Sequence, residues 1–495
     1  MIFSIYDFYY IFLEIFLFFS CCLFIFFGLG FNISKKWGYP VLSISFGWIC
    51  FFLISYSIFL KVNSNFNILY LFNFLIVNDA LNFFSKIWLL FLTLNWILIC
   101  SFHVKVEKLN FLEFWILILL VLFSMLILLA SNSLLILYLT IEIQNLVFYI
   151  LASIKRKTDF SVESSLKYFI LSAISSILLL LGFCIFYGYT GLINFFDFNI
   201  LCSSLFFYKN NFIFEGFFFG LLFIILSFLF KLGAAPFYFW LLDVYEGSPS
   251  NVTAFFSLIP KFTMFIIFNK LFLYNLQFFI YSFEQILLFS IFLSFFIGTF
   301  GALLQLKWKR FLAYSSLTHI AFLLAPFLNN SLKAIESFYY YLIVYLISVL
   351  GTFAFFLFLV FYNKKSNIRY FSDLFMIIKL NPNLGCIFIL ILFSMAGIPP
   401  LAGFFSKMFI FLILLEGNYL GLTFLSILLS CLACFYYLRL IKIMYFNSIF
   451  IWPFFKKNYT EQAFVLNVIS LMLACSFLDI NLILLNINFL SLYLV

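Results

Sequence analysis

The chain has 495 residues, of which 66% are hydrophobic and only 9% are charged. Soluble domains carry about 45–50% apolar and about 25% charged residues, so this composition excludes a soluble globular protein. The net charge of +9 does not indicate nucleic-acid binding, because the basic residues lie mostly in short loops between apolar runs, as membrane topology requires. The composition indicates an all-α polytopic membrane protein embedded in a lipid bilayer.

The remaining composition bears on cofactors and location. The ten cysteines are scattered through apolar runs, and the C-x-x-C of Cys431 and Cys434 is interpreted as apolar packing, so we expect neither a disulfide framework nor a metal site. The N-terminus shows no signal or transit peptide pattern. The 84 phenylalanines, with abundant Ile, Leu, Asn and Lys, indicate an AT-rich coding genome, which fits an organelle-encoded protein. The inner membrane of an AT-rich bacterium is the alternative.

Apolar runs of spanning length follow one another along the chain. They predict about 14 transmembrane helices near residues 8–30, 39–60, 80–102, 111–130, 133–153, 164–189, 216–240, 250–274, 280–304, 311–328, 334–361, 384–415, 419–445 and 464–490. The distribution of basic residues supports this number. Of the 27 lysines and arginines, eighteen lie in loops after odd-numbered spans, four in the other loops and five within spans. The positive-inside rule therefore places the basic loops in the cytoplasm or matrix and both termini on the opposite side.

Two predicted spans carry similar interruptions. Span 7 contains KLGAAPF and span 12 contains MAGIPPLAGFFSK, and proline and glycine at such depth predict that helices 7 and 12 are broken. Paired interruptions in corresponding halves are typical of inverted-repeat transporters, and five helices per repeat would invert the second repeat. The predicted domains are helices 1–3 in 1–110, repeat 1 in 111–275, repeat 2 in 276–445, and the C-terminal loop with helix 14 in 446–495.

Charged residues inside apolar spans are functional candidates, because an ionised side chain at bilayer depth costs on the order of 2.5–3.5 kcal/mol. Glu142 lies at the middle of span 5, and Lys231 precedes the break in span 7. We expect Glu142 to ionise only near a cation, with Lys231 as the candidate. A switchable carboxylate and lysine suit a proton relay, whereas the alternative is a structural ion pair that joins two helices.

Three further residues are candidates for the same path. Lys261 follows Pro260 about eleven residues into span 8, too deep for its amine to reach the interface easily. Lys407 follows the break in span 12, as the counterpart in the second repeat. His319 in span 10 could shuttle protons near neutral pH, although a hydrogen-bonded core histidine is the alternative. The hydroxyls of SSLTH, at residues 315–319, could order water between His319 and Lys261.

Other charged residues have simpler interpretations. Anchoring at the membrane interface is preferred for three residues nearer span ends: Glu14, Lys86 and Lys167. His103 belongs to a basic loop and is interpreted as part of the topology signal. Asp243 and Glu246 are expected in a turn before helix 8, where capping and loop hydrogen bonds explain them.

Several strings resemble one known family. The sequence is similar to the chain 2 subunits of respiratory complex I, NADH:ubiquinone oxidoreductase, in KLGAAPFYFWLLDVYEGSPSNVTAF with the following IPK, in KRFLAYSSLTHIAFLL, in FSMAGIPPLAGFFSKMFIF, in ESSLKYFILSAISSILLLLGFCIFYGYTG and in LTIEIQNLVFYILAS. The resemblance runs from about residue 110 to about residue 440, and the DVYEGSP string is specific to this subunit. It implies an antiporter-like membrane-arm subunit with 14 helices and two inverted five-helix repeats.

The resemblance also implies roles for the candidate residues. Glu142 and Lys231 would be the carboxylate and lysine of the entry half-channel, Lys261 the central lysine and Lys407 the terminal lysine of the exit half-channel. His319 would lie on the hydrophilic axis between them. One departure is Tyr238, where the family often has histidine, so a proton-donor role at that position is in doubt.

The sequence therefore predicts a proton-translocating subunit, itself without a redox centre, of an NADH:ubiquinone reductase. The resemblance implies other membrane-arm subunits as partners and the mitochondrial inner membrane as location. NADH, FMN, iron–sulfur clusters and ubiquinone would belong to partner subunits of the complex. The alternatives are a subunit of a stand-alone cation/proton antiporter, a chloroplast relative that takes electrons from ferredoxin, and a structural membrane scaffold whose charges only pair helices.

Overall fold

The computed structural model describes residues 5–32, 40–62, 69–107, 109, 111–205, 212–275, 280–329, 331–359, 369–375, 377–446 and 460–475, and the structural statements that follow refer to these residues. The predicted loop lysines at 35, 36, 108, 209, 364, 365, 456 and 457, and the end of predicted helix 14 at 476–490, lie outside them.

The described chain is almost entirely helical. Its helices are α1 Ile5–Tyr10, α2 Phe12–Asn32, α3 Pro40–Val62, α4 Ala80–Val106, α5 Leu112–Ala130, α6 Leu134–Ala152, α7 Asp159–Thr190, α8 Phe195–Leu205, α9 Phe212–Leu232, α10 Phe239–Gly247, α11 Ser250–Asn269, α12 Ile280–Leu303, α13 Trp308–Leu324, α14 Leu332–Phe358, α15 Ile377–Leu380, α16 Pro382–Ala396, α17 Ala402–Glu416, α18 Leu420–Phe446 and α19 Thr460–Cys475. A short antiparallel hairpin, β1 Leu69–Leu71 and β2 Ile76–Asn78, precedes α4.

Apolar helices coincide with every predicted span. Among the described residues, nine helices are long and apolar enough to cross a membrane, and five further apolar helices are shorter. The shorter five lie in predicted spans 1, 2, 7, 12 and 14, two of which are the interrupted spans. The all-α polytopic class is confirmed, whereas fourteen complete crossings stay a prediction. The hairpin at 69–78 was not predicted.

The chain divides into two compact units. The first contains Met1–Lys231 and Gly247–Phe278, and the second contains Leu232–Glu246 and Phe279–Val495. In the first unit α4, α5 and α11 pack through aromatic rings, with Trp96 against Trp115 at 6.5 Å and against Phe255 at 5.1 Å between ring centroids. The indole of Trp96 also donates a hydrogen bond to the carbonyl oxygen of Asn251 at 3.1 Å.

The predicted break in span 7 is present. Helix α9 ends at Leu232, Gly233 takes a left-handed φ of 74°, and α10 starts at Phe239. Between the helices, the Phe237 N–H donates to the Ala234 carbonyl at 2.8 Å, which forms a tight turn. Glycine serves this turn because it adopts a positive φ without steric cost.

The predicted break in span 12 is also present, and it divides the span into α16 and α17. Gly397 ends α16 with a φ of 84°. The N–H groups of Gly397 and Ile398 return to the Phe393 carbonyl at 2.9 and 3.1 Å, as in a Schellman motif. Helix α17 then begins at Ala402 and packs back on α16, with Gly403 directly over the Ser394 carbonyl oxygen. Glycine is required at that position because the backbones approach too closely for a Cβ atom.

The structure corrects the interpretation of Glu14 and Lys86. Their side chains are 2% and 3% exposed, and the two form a buried ion pair between α2 and α4, so anchoring at the membrane interface is wrong for both. Lys167 instead lies on the surface and pairs with Glu163 at 2.7 Å. Lys270 is buried in the same unit and donates to the Ser131 carbonyl at 2.7 Å.

Breaking the Glu14–Lys86 pair from one side is expected to destabilise the protein more than removing both charges. Lys86→Met alone leaves a buried carboxylate without its cation, which costs about 3–5 kcal/mol, whereas an apolar replacement of a whole buried pair is often neutral. We expect the single variant to lower the apparent Tm of the detergent-solubilised protein and Glu14→Gln combined with Lys86→Met to recover most of the loss. A double variant as unstable as the sum of both singles would contradict the pairing.

Candidate functional site

Glu142 and Lys231 lie in the first unit without the contact of a structural ion pair. Glu142 is at the middle of α6, and Lys231 is in the last turn of α9. The buried atoms Oε1 of Glu142 and Nζ of Lys231 have no hydrogen-bond partner among the described residues. The carboxylate and the ammonium are therefore not in hydrogen-bond contact with each other. A pair whose only role was to join helices would be expected to be in contact.

Two further buried polar residues follow Glu142 on α6. Gln144 and Asn145 are buried, and the side-chain amide groups of both include atoms without a hydrogen-bond partner in the described part of the chain. Buried polar groups in native proteins bond to protein or to ordered water. This stretch of α6 is thus suited to hydration at the depth where a carboxylate lies.

Lys261 occupies the interior of the first unit. It is 6% exposed and lies in α11 just after Pro260, which stands inside the helix. The proline has no N–H, so the carbonyl of Phe256 lacks its intrahelical donor. Lys261 is thus buried inside the protein, and the Phe256 carbonyl adds a backbone acceptor to the same stretch of α11.

Lys407 is solvated by the break in span 12. Its Nζ donates to the carbonyl oxygens of Met395 at 2.9 Å and Ala396 at 2.8 Å, the last two residues of α16. The Nζ also lies 5.6 Å from the ring centroid of Phe322. The last carbonyls of a helix have no intrahelical donor and carry the negative end of the helix dipole, so they stabilise a buried ammonium.

His319 is enclosed by tyrosines in the second unit. Its Nδ1 is 2.8 Å from the Tyr341 hydroxyl and its Nε2 is 3.3 Å from the Tyr437 hydroxyl, and the Tyr345 ring lies 5.0 Å away between centroids. One ring nitrogen of a neutral imidazole donates and the other accepts, and a hydroxyl can satisfy either. The imidazole can therefore exchange protons with hydroxyls on both sides.

The small hydroxyls before His319 are bonded within α13. Ser315, Ser316 and Thr318 donate to the backbone carbonyls of Leu312, Ala313 and Ser315 at 3.1, 2.7 and 2.7 Å. Their role in ordering water between His319 and Lys261 stays a prediction. Tyr238, also in the second unit, stacks on Phe239 with ring centroids 4.3 Å apart.

Two earlier interpretations of polar residues are wrong. His103 is not in a loop but in the last turn of α4, where it is fully buried, with Nδ1 3.0 Å from Asn251 Oδ1 and 3.5 Å from Glu107 Oε1. Glu246 lies in helix α10 rather than in a turn, and it forms ion pairs with Lys307 and Arg310. Asp243 also lies in α10. The sequence signal that could have found His103 is its helical spacing of four residues from Glu107.

The arrangement consists of buried titratable groups linked to hydroxyls and backbone carbonyls. Among the described residues, no group of three or more histidine, cysteine, aspartate or glutamate side chains could hold a metal ion. Amines, carboxylates and imidazoles at bilayer depth can bind and release protons, and hydroxyl groups can carry protons between them.

Comparisons with known proteins identify the family of the chain. The family model described as "NADH:quinone oxidoreductase/Mrp antiporter, TM" matches residues 131–433. NADH-ubiquinone oxidoreductase chain 2 of Marchantia polymorpha is 38% identical over 93% of this chain and 94% of its own length. NADH-quinone oxidoreductase subunit N of a Wolbachia species from Brugia malayi is 40% identical over 67% of this chain and 70% of its own length.

Solved structures show the same fold at lower identity. A chain of respiratory complex I from Thermus thermophilus is similar with a TM-score of 0.74 and 22% identity, over 94% of this chain and 98% of that one. A chain of the Mrp complex from Dietzia is similar with a TM-score of 0.78 and 16% identity, over 95% of both chains. By the extent of the family match and the identity to its relatives, the chain belongs to the NADH:quinone oxidoreductase/Mrp antiporter family of membrane proteins.

Proposed function

We propose that this chain is the chain 2 type of membrane-arm subunit in a respiratory NADH:ubiquinone oxidoreductase, and that it translocates protons. The main support for the subunit type is the 38% identity to a chain 2 relative over 93% of this chain. The support for proton transfer is that this chain buries Lys261 and Lys407 inside apolar spans. Burying a lysine at that depth is unfavourable in free energy and adds no structural stabilisation, which supports a role in proton transfer.

The relay would use the five residues singled out from the sequence: Glu142, Lys231, Lys261, His319 and Lys407. Electron transfer in partner subunits would shift charge along the membrane arm and draw Glu142 away from Lys231. An ammonium in a low-dielectric site loses stabilisation when a nearby carboxylate withdraws. Lys231 would then pass its proton toward Lys261, and the carbonyl-solvated Lys407 would be the last amine before exit.

The chemistry of electron transfer would reside outside this chain. NADH, FMN, iron–sulfur clusters and ubiquinone would be held by partner subunits, and the partners of this chain would be other membrane-arm subunits, lipid and protons. The plant relatives named as chain 2 support the mitochondrial inner membrane as location, with the bacterial inner membrane as the alternative through relatives named as subunit N.

A subunit of a stand-alone cation/proton antiporter is the second candidate. The similarity to a chain of the Mrp complex favours it at the level of fold, and it would use the same lysines without NADH oxidation. A scaffold whose charges only pair helices is the third, and the lack of a hydrogen-bond partner for Lys231 Nζ among the described residues speaks against it.

Native electrophoresis of mild-detergent extracts separates the first two candidates. We expect this chain to co-migrate with a very large band that stains in the gel for NADH dehydrogenase activity. Co-migration with a smaller band that lacks this activity would overturn the proposal in favour of the antiporter, and cation flux in vesicles would then identify the transported ion.

A further inference from the structure

A second buried cluster lies at the N-terminal end of α11, the helix that carries Lys261. Glu107 accepts a hydrogen bond from the Ser250 hydroxyl at 2.5 Å, and His103 Nδ1 lies 3.0 Å from Asn251 Oδ1, 3.5 Å from Glu107 Oε1 and 3.5 Å from Ser250 Oγ. A ring nitrogen that faces three oxygen atoms carries its proton there, so the other nitrogen is where a second proton is gained or lost. None of the roles derived from the sequence uses this cluster.

The cluster connects to the surface. Lys155, in the loop between α6 and α7, is 31% exposed, and its Nζ lies 2.9 Å from Glu107 Oε2. Glu107 itself is 4% exposed. The carboxylate thus bridges a surface ammonium and a buried imidazole. Lys155 belongs to the set of basic loops, so this end of α11 faces the cytoplasm or matrix by the positive-inside rule.

Hydroxyls lead from the cluster to Lys261 along one face of α11. At about 100° per residue, Ser250, Ser257 and Lys261 fall within about 40° of one another, with Thr253 about 60° to one side. All four are buried. Thr253 and Ser257 donate to the carbonyls of Ser250 and Ala254 at 2.7 and 2.9 Å, so their oxygen lone pairs remain as acceptors. The route is about 16 Å long, in intervals of about 5–6 Å that one water molecule can bridge.

We propose that Glu107 and His103 are the entrance of a proton path that runs along the Ser250–Thr253–Ser257 face of α11 to Lys261. The proposal rests on the proposed function and adds its uptake route from the side of the basic loops. A proton from water protonates the cluster, each hydroxyl or water along the face accepts one proton and releases another, and the neutral amine of Lys261 gains the last one. Only O–H and N–H bonds form and break, and no charge is lost on the way.

Titratable groups next to His103 or Glu107 in the described part of the chain include Cys100 on α4 and Lys155 in the α6–α7 loop, besides Glu107 itself. Of these, Glu107 is the one that links the imidazole to the surface. His103→Gln keeps a polar side chain of similar length but removes the titration, so it separates proton transfer from packing.

The test compares pumping variants in the assembled complex, in sealed membrane vesicles energised with NADH. We expect Ser257→Ala and His103→Gln to lower the initial rate of proton pumping about tenfold or more, in line with a lost proton-transfer group. His103→Gln should also change the pH dependence of that rate, because it removes a titratable group from the entrance of the path. Ser257→Thr, which keeps the hydroxyl, should retain most of the rate.

Ser124→Ala is the matched control. Ser124 lies on α5, is fully buried and donates to the Val121 carbonyl at 2.8 Å, just as Ser257 donates to that of Ala254. If His103→Gln prevents assembly, the Ser257 variants alone test the proposed path. Normal pumping in both Ser257→Ala and His103→Gln, together with lost pumping in Lys261→Ala, would overturn this path and leave the proposed function intact. Normal pumping in Lys261→Ala would overturn both.

Discussion

Replacing Lys261 with alanine is expected to abolish proton pumping while the complex still assembles. In the proposed relay the amine receives protons from Lys231 and along the α11 face, and without it no titratable side chain of α11 remains near the middle of the helix. Assembly should not suffer from loss of the charge, because burying an ammonium costs on the order of 2.5–3.5 kcal/mol and the variant avoids that cost. The measurements are pumping in sealed vesicles and the amount of complex on native gels.

Lys261→Arg and Lys167→Ala complete this experiment. Arginine keeps the charge but does not release its proton in proteins, so Lys261→Arg should also fail to pump. Lys167 is a surface lysine of the same unit, paired with Glu163, and its removal should change neither pumping nor assembly. A Lys261→Ala complex that pumps at the normal rate would establish the scaffold interpretation.

The lysines of the spans could be predicted from sequence because the signal is local. A charge within an apolar run of spanning length is visible without any tertiary information, and Lys261 and Lys407 are indeed buried. The same holds for the breaks. The Gly/Pro-containing strings predict breaks, and both breaks are present, with positive φ at Gly233 and Gly397. Proline removes a backbone donor and glycine loosens the turn whatever surrounds them.

Residues nearer the span ends could not be assigned from sequence. A charge at such a position is compatible with the interface, with a loop or with a buried partner, and only the fold distinguishes these cases. Glu14 and Lys86 are 72 residues apart in the chain yet form a buried pair. His103 meets Asn251 across 148 residues. Interpretations based on span position alone failed for all three.

The hydrogen-bond partners of His319 could not be predicted from the sequence for the same reason. Its two hydrogen-bonding tyrosines, Tyr341 and Tyr437, come from α14 and α18, 22 and 118 residues away. Tyrosine in an apolar helix carries no periodic signal of its own, because its ring packs like that of phenylalanine. The contacts of His319 with the two hydroxyls therefore arise only when α13, α14 and α18 pack together.

Replacing Gly403 with alanine is expected to prevent formation of the broken helix of span 12. A Cβ at Gly403 would overlap the carbonyl oxygen of Ser394, which belongs to the backbone of α16 and cannot rotate away. Helices α16 and α17 would have to separate. Overpacking of this kind costs about 1–3 kcal/mol or more, a large share of a marginal stability of about 5–15 kcal/mol. We expect little or no assembled complex on native gels, with the chain degraded instead.

Gly421→Ala is the matched control, because Gly421 lies near the start of α18 with no atom within 4 Å of an added Cβ. It should assemble and pump normally. Any Gly403→Ala complex that does assemble should pump poorly, because separated half-helices would move the Met395 and Ala396 carbonyls away from the Lys407 amine. Normal assembly and pumping in Gly403→Ala would mean that α16 and α17 do not pack this closely. The carbonyl-solvated position of Lys407 would then lose its structural basis, because that position depends on the same close approach of the two half-helices.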